Sequence, residues 1–166
     1  TPAVLTRATR VLFDSGDRAR AESVAQRVLA LGSRADSAQQ LVAWTVLAHT
    51  YFDEGRYADA ERAYMELSAR LPAGDPQRAE VTERLAASVY RQAEARQASG
   101  DVDGAVQEYL RVAVVAPGSP AGAKAEYDAA ALLINAGQWN QAATVLEKFR
   151  SSHPGHALQP EVTRKL

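Results

Sequence analysis

The stretch WTVLAHTYFDEGRYADAERAYMELSARLP, Trp44 to Pro72, decides how the rest of the chain is read. Trp44, Leu47, Ala48 and Tyr51 recur at spacings of three, one and three, which places them on one face of a helix. Tyr57, Ala60, Tyr64 and Leu67 answer them on a second helix. Between the two runs lies Gly55, the residue best able to turn a chain where one helix stops. Pro72 follows, and proline cannot continue a helix. The segment is expected to be a helical hairpin with a small core of its own. Truncation of a buried Trp44 to alanine should then cost roughly 3 to 5 kcal/mol.

The same punctuation recurs along the chain. Gly16, Gly55, Gly100 and Gly137 each separate two helix-like runs, and five residues after each stands alanine: Ala21, Ala60, Ala105 and Ala142. A bulky apolar residue follows the last three glycines by two positions, as Tyr57, Val102 and Trp139, where the first copy has Arg18. Proline follows them by seventeen, at Pro72, Pro117 and Pro154, where the first copy has Ser33. Fixed offsets of this kind are the mark of a repeat protein.

Composition agrees and narrows the functional classes. About a fifth of the 166 residues are alanine, and no run alternates as a half-buried strand does, so the chain is expected to be all-α. With 46% hydrophobic residues it can bury a sizeable core. Nineteen basic side chains against twenty acidic ones leave a net charge of −1, which argues against a nucleic-acid partner, whose phosphates demand a basic surface. The arginines, 16 against three lysines, are scattered. The lack of cysteine excludes disulfides and thiolate metal sites and leaves the redox compartment open. No apolar run is long enough to span a bilayer.

The pattern Trp44-x2-Leu47-Ala48-x2-Tyr51-x3-Gly55-x-Tyr57-x2-Ala60-x3-Tyr64-x2-Leu67-x4-Pro72 resembles the tetratricopeptide repeat (TPR) at nearly every position. A third copy keeps Ala93, Gly100, Ala105, Tyr109, Val112 and Pro117, with Arg96 at an aromatic position. A fourth keeps Ala130, Gly137, Trp139, Ala142, Leu146, Phe149 and Pro154, with Glu126 in the place of the tryptophan. The first, with Leu12, Gly16, Ala21 and Val28, is the most worn. The resemblance implies a right-handed superhelical solenoid of about four hairpins, at residues 2–35, 41–74, 86–119 and 123–156. The whole of 1–166 would be one array, with 157–166 the start of a further, truncated helix.

The glycines are 39, 45 and 37 residues apart, whereas a standard repeat of this kind has about 34. Some helices must therefore be extended. Asp75 is a plausible N-cap with Pro76 at the first helical position, and a helix from there to Ser99 would have about 24 residues and run about 36 Å. It is expected to pack on an equally long helix beginning near Ser37. Ser119 and Pro120 repeat the cap pattern, and Pro160 opens the tail in the same way. The chain opens on Thr1-Pro2 and closes inside a helix, so it reads as a piece of a longer protein. Its open flank is expected to be covered by further repeats, a docked tail or self-association.

The resemblance also implies where binding occurs, in a concave groove lined by the first helix of each hairpin. Its groove positions fall here on Thr6, Arg10 and Phe13; on Thr45, His49, Phe52 and Asp53; on Tyr90, Glu94 and Gln97; and on Tyr127, Ile134 and Asn135. Aromatic side chains there would supply apolar area, and the polar ones hydrogen bonds to a peptide. The clamp by which some members hold a C-terminal carboxylate is missing, because its positions carry Thr6, Arg10, Thr45, Val46, Ala87 and Arg91.

No catalytic constellation emerges. His153-x2-His156 sits at an exit turn with no further ligand beside it, so neither zinc nor another metal is expected. The pairs Asp14/Asp17 and Asp101/Asp103 read as helix caps. Serines cluster at helix ends without a base, and the glycine-rich turns lack the lysine of a phosphate loop. The expected function is a non-catalytic protein–protein interaction scaffold, without cofactor, that binds a protein or peptide partner. The last 60 or so residues, with Gln107-Glu108-Tyr109, Pro117-Gly118-Ser119-Pro120 and Phe149-x4-Pro154, are similar to repeats of Gram-negative envelope proteins of the TolA-binding periplasmic coordinator and outer-membrane-assembly lipoprotein types. That implies a periplasmic, outer-membrane-associated role in envelope biogenesis. The alternative is a regulatory or substrate-recruiting module of a larger enzyme or export machine, with a cytoplasmic location.

Overall fold

The computed structural model describes all 166 residues and contains nine α-helices and no strand. They are α1 (Pro2–Asp14), α2 (Arg18–Ala30), α3 (Ser37–Asp53), α4 (Tyr57–Arg70), α5 (Gln77–Ala98), α6 (Val102–Val115), α7 (Pro120–Asn135), α8 (Trp139–Ser152) and α9 (Gln159–Lys165), with one 3₁₀ turn at Gly32–Arg34. Tertiary contacts divide the chain into two compact units, Thr1–Leu85 and Ala86–Leu166, with the boundary inside α5.

Local chemistry sets the helix ends. Asp17 accepts a hydrogen bond from the backbone N–H of Arg20 at the start of α2. Asp36 and Gln39 form a reciprocal capping box at the start of α3. Asp75 accepts from the N–H of Gln77 at 2.8 Å, so α5 begins one residue beyond Pro76. Asp101 caps α6 and Ser119 caps α7. Each aspartate pair thus supplies a single cap: Asp17 and Asp101 serve, whereas Asp14 lines a cleft and Asp103 accepts from Gln138 at 3.3 Å. A helix has one N-cap position, so the second aspartate is free for other contacts. Between α3 and α4, Gly55 takes a φ of +74°, a left-handed conformation that a side chain would strain.

In the first unit α1 and α2 pair, α2 and α1 both pack on α3, and α3 pairs with α4. Its buried core includes Ala21, Ala25 and Val28 of α2, Ala43, Val46, Leu47 and Ala48 of α3, and Ala60, Ala63, Tyr64 and Leu67 of α4. Trp44 is only half-buried, with Arg70 over its ring at 5.4 Å. In the second unit Ala86, Val89 and Ala93 of α5 meet Ala105, Val106, Tyr109 and Val112 of α6 and Ala125, Ala129 and Leu133 of α7. Small residues let these helices approach closely. A Cβ on Gly122 of α7 would lie 3.1 Å from that of Ala113. A second cluster joins Ala123, Ala130, Leu146 and Phe149 to Val162 of α9.

One expectation needs correction. The helix from Ser37 has 17 residues and α5 has 22, so they are not equally long. The cap at Asp36 and the glycine at 55 are closer in sequence than Asp75 and Gly100, and that interval fixes the length. Of the bulky apolar residues two positions after the glycines, Trp139 is 64% exposed while Tyr57 and Val102 are half-buried.

Candidate functional site

The first unit holds a cleft of about 470 Å³ between α1, α3 and the turn leading into α5. α1 contributes Arg10, Phe13 and Asp14; α3 contributes Leu41, Thr45, Val46 and His49; Leu71, Asp75 and Gln77 close the far side. Four residues expected in the groove therefore line one cleft: Arg10, Phe13, Thr45 and His49. Thr6 lies with Arg10 in a neighbouring cleft that Gln39 also lines. The lining is chemically mixed, with apolar side chains and both charge signs.

His49 is the most constrained of these groups. Its Nδ1 is 3.0 Å from the hydroxyl of Tyr64, which is fully buried, and its ring meets that of Phe13 at 6.2 Å and that of Tyr64 edge-on at 5.7 Å. Burial, followed by the Arg84 guanidinium, holds the His49 pKa below its ordinary value, against a smaller opposing pull from Glu80 and Asp53. Burial pushes the Tyr64 phenol well above its usual value, so it stays protonated.

Phe52 and Asp53 stand beside the cleft and serve packing. Phe52 meets Tyr57 and Tyr64 edge-on, with Arg84 over its ring at 5.2 Å. Asp53 pairs with Arg18 at 3.4 Å, and Arg18 lies over the Phe13 ring at 4.0 Å and donates to the Phe13 carbonyl at 2.7 Å. This contact braces the back of the Phe13 wall.

In the second unit Tyr90 and Glu94 line a smaller cleft of about 330 Å³ with Ala87, Arg91, Ala121 and Lys124. Its polar groups are largely engaged with one another. Tyr90 donates to Asp128, Lys124 bonds both the Tyr90 hydroxyl and Asp128, and its ammonium also lies 4.4 Å from the Tyr90 ring centre. Burial works against the Lys124 charge, but the bonds to Asp128 and Tyr90 outweigh it and raise the lysine pKa. Arg91 pairs with Glu94 at 2.9 Å. The other expected groove residues are spent elsewhere. Gln97 accepts from the Tyr109 hydroxyl at 2.8 Å, Tyr127 bonds Glu161 of α9, Ile134 packs against both apolar clusters, and Asn135 is exposed at the end of α7.

Sequence reasoning missed Leu71, Asp75 and Gln77 as cleft residues, because nothing in the spacing shows that the turn before α5 folds over α3. It also missed Lys124. Its i,i+4 spacing to Asp128 was readable, but the reach to Tyr90 is tertiary.

Glu126, the residue in the place of a tryptophan, is 3% exposed. Its Oε2 is 2.8 Å from His153 Nε2 and its Oε1 3.6 Å from Lys148 Nζ. His153 and His156 both rest on the Phe149 ring, at 4.8 and 5.3 Å. The histidine pair thus has a packing role that spacing alone could not show. No group of three or more metal-ligating side chains comes together, and no helix is long and apolar enough to cross a membrane.

Residues 124–156, which run from inside α7 through α8 to the exit turn, match the family described as the tetratricopeptide repeat. The match covers this one hairpin. TPR domains are in general protein–protein interaction scaffolds, so the match points to protein partners and to no particular one. Among solved structures, TPR-like repeats of a protein from Podosopora anserina described as a kinesin light chain with nearly identical repeats are similar at 18% identity and a TM-score of 0.41, covering 100% of this chain and 85% of that one. A single-substitution form of the same protein gives 18% identity and a TM-score of 0.40, covering 99% and 82%. Likeness at this level says nothing about partner or activity. No curated protein matches the sequence.

Proposed function

We propose that the chain is a non-catalytic interaction module whose first-unit cleft holds an extended peptide segment of a protein partner. The observation that carries this is the meeting of Arg10 and Phe13 of α1, Thr45 and His49 of α3, and Asp75 and Gln77 around one cleft. An extended backbone offers carbonyls and N–H groups along its length, and this cleft offers donors and acceptors beside apolar side chains. Arg10 and Asp14 of α1, with Asp75 on the same cleft, favour a ligand of mixed character over a strongly charged one.

Selection of a displayed library of 12-residue peptides on the immobilised chain tests the reading. Recovered peptides should bind the wild type and lose about tenfold or more in affinity with Arg10→Glu combined with Gln77→Ala, two exposed changes that leave the core intact. Peptides that bind the double variant equally well would move the site out of this cleft.

The finer reading, a periplasmic module in envelope biogenesis, rests on the similarity of the last two hairpins to envelope repeats, as in Phe149-x4-Pro154 followed by the α9 start. Capture by the wild type from separated periplasmic and cytosolic extracts of the source organism tests it. A partner found only in the cytosolic extract would overturn that location and favour the recruiting-module alternative.

A further inference from the structure

We infer that Tyr64 locks His49 in the Nε2–H tautomer, and that this N–H is the specificity-determining donor of the cleft, reading a backbone carbonyl of the bound peptide. The inference rests on the peptide-binding reading above and adds the chemistry by which the ligand is read.

The argument begins with the phenol. Tyr64 is 0% exposed, and the hydroxyl has one partner, His49 Nδ1 at 3.0 Å. Were the imidazole proton on Nδ1, the phenol oxygen would accept and its own hydrogen would be left buried without an acceptor. With the proton on Nε2, the phenol donates to Nδ1 and every hydrogen is used. The imidazole is neutral in this arrangement, because a cation would carry hydrogens on both nitrogens and deprive Tyr64 of its acceptor.

Nε2 stands across the ring from that bond and has no partner within the protein, while His49 itself lines the cleft. The ring is held by Phe13 of α1 and by Tyr64 of α4, and it feels the charges of Arg18 on α2, Asp53 on α3, and Glu80 and Arg84 on α5. Fixed orientation and a fixed proton make a directional donor of low entropic cost. Its neutrality, with Asp14 and Asp75 on the same cleft, disfavours a ligand carboxylate and favours an amide carbonyl.

The test has two arms. In the first, ¹⁵N-resolved spectra of the histidine side chains are recorded on the free protein above pH 7, with the His49 signals assigned by their loss in His49→Gln. The wild type should show a bare Nδ1 and a protonated Nε2, and Tyr64→Phe, which removes only the hydroxyl, should drift towards a mixture of tautomers. A protonated Nδ1 in the wild type would overturn the inference. In the second arm, the probe is a peptide recovered by the display selection. His49→Gln, whose amide N–H can take the place of Nε2–H, should keep affinity within about threefold, while His49→Leu should lose about tenfold. Equal binding by the leucine variant would overturn the donor role and leave the peptide reading standing. Insensitivity to Arg10→Glu with Gln77→Ala would overturn both. Should His49→Leu fail to fold by circular dichroism, Tyr64→Phe carries the second arm, with a severalfold loss expected and unchanged affinity overturning the lock.

Discussion

Trp44 and Glu126 occupy the same place in two copies of one repeat and solve the packing problem in opposite ways. Trp44 in the first unit is half-buried, and its indole N–H is enclosed with no hydrogen-bond partner. Glu126 in the second is a buried carboxylate that has recruited His153 and Lys148. The contrast extends to the clefts. The first unit keeps Arg10 outside any ion pair and the far nitrogen of His49 unpartnered, whereas the second spends Tyr90, Lys124, Asp128, Arg91 and Glu94 on one another. A repeat position therefore fixes where a side chain stands and leaves open whether it supports the fold or faces a ligand. Polar side chains that the fold does not need are those still able to bind, and the first unit has more of them.

The hardest break is in the apolar layers beneath both solutions. Phe149→Ala and Tyr64→Ala each remove a ring with 0% exposure and should each cost about 3 to 5 kcal/mol in urea unfolding followed by circular dichroism. Trp44→Ala should cost less, about 2 kcal/mol, because part of the indole is already in water and only the covered area is lost. If Trp44→Ala proved as damaging as Tyr64→Ala, the tryptophan would be a core residue after all, and the contrast with Glu126 would weaken.

A smaller effect isolates the carboxylate. His153→Leu leaves Glu126 buried with only Lys148 at 3.6 Å, and should cost about 3 kcal/mol in the same measurement. Glu126→Gln keeps a hydrogen-bonding side chain of equal size without the charge, and should stay within about 1 kcal/mol of the wild type. Equal losses from both would mean that the charge itself, and not the completed bond, holds the exit turn to α7.

How much of this was legible in the residues follows from the range of the forces involved. The hairpins were readable because their causes are local: caps at Asp75 and Ser119, the reversal at Gly55, and apolar residues at helical spacing. The length of α3 was not legible in the same way, because it is set by the capping box at Asp36 and Gln39, and α3 is shorter than α5. The cleft was half legible. Arg10, Phe13, Thr45 and His49 were placed by repeat position, but Asp75 and Gln77 enter it through the path of a turn that no periodicity encodes. Tyr127 and Ile134 were assigned to a groove by the same rule, and the structure spends them on Glu161 and on the core. The engagement of Glu126 with His153, 27 residues away, needed the folded chain.

The gentlest test compares the units by acid. Because the folded protein holds the His49 pKa below its ordinary value near 6.5, both folded and unfolded chains carry a neutral imidazole above that pH, and its packing between Phe13 and Tyr64 contributes fully. As pH falls below that ordinary value the unfolded chain takes up a proton that the folded chain resists. Stability then declines until the folded pKa is passed, after which the loss is constant. The wild type should therefore lose more stability between pH 7 and pH 5 than His49→Gln, measured by urea midpoints at each pH. Every other side chain is common to the two proteins, so the difference between the two curves belongs to residue 49. Parallel curves would mean that the imidazole accepts its proton in the folded state as readily as in the unfolded one, and the Tyr64 hydroxyl would then have to find another acceptor in a pocket that offers none.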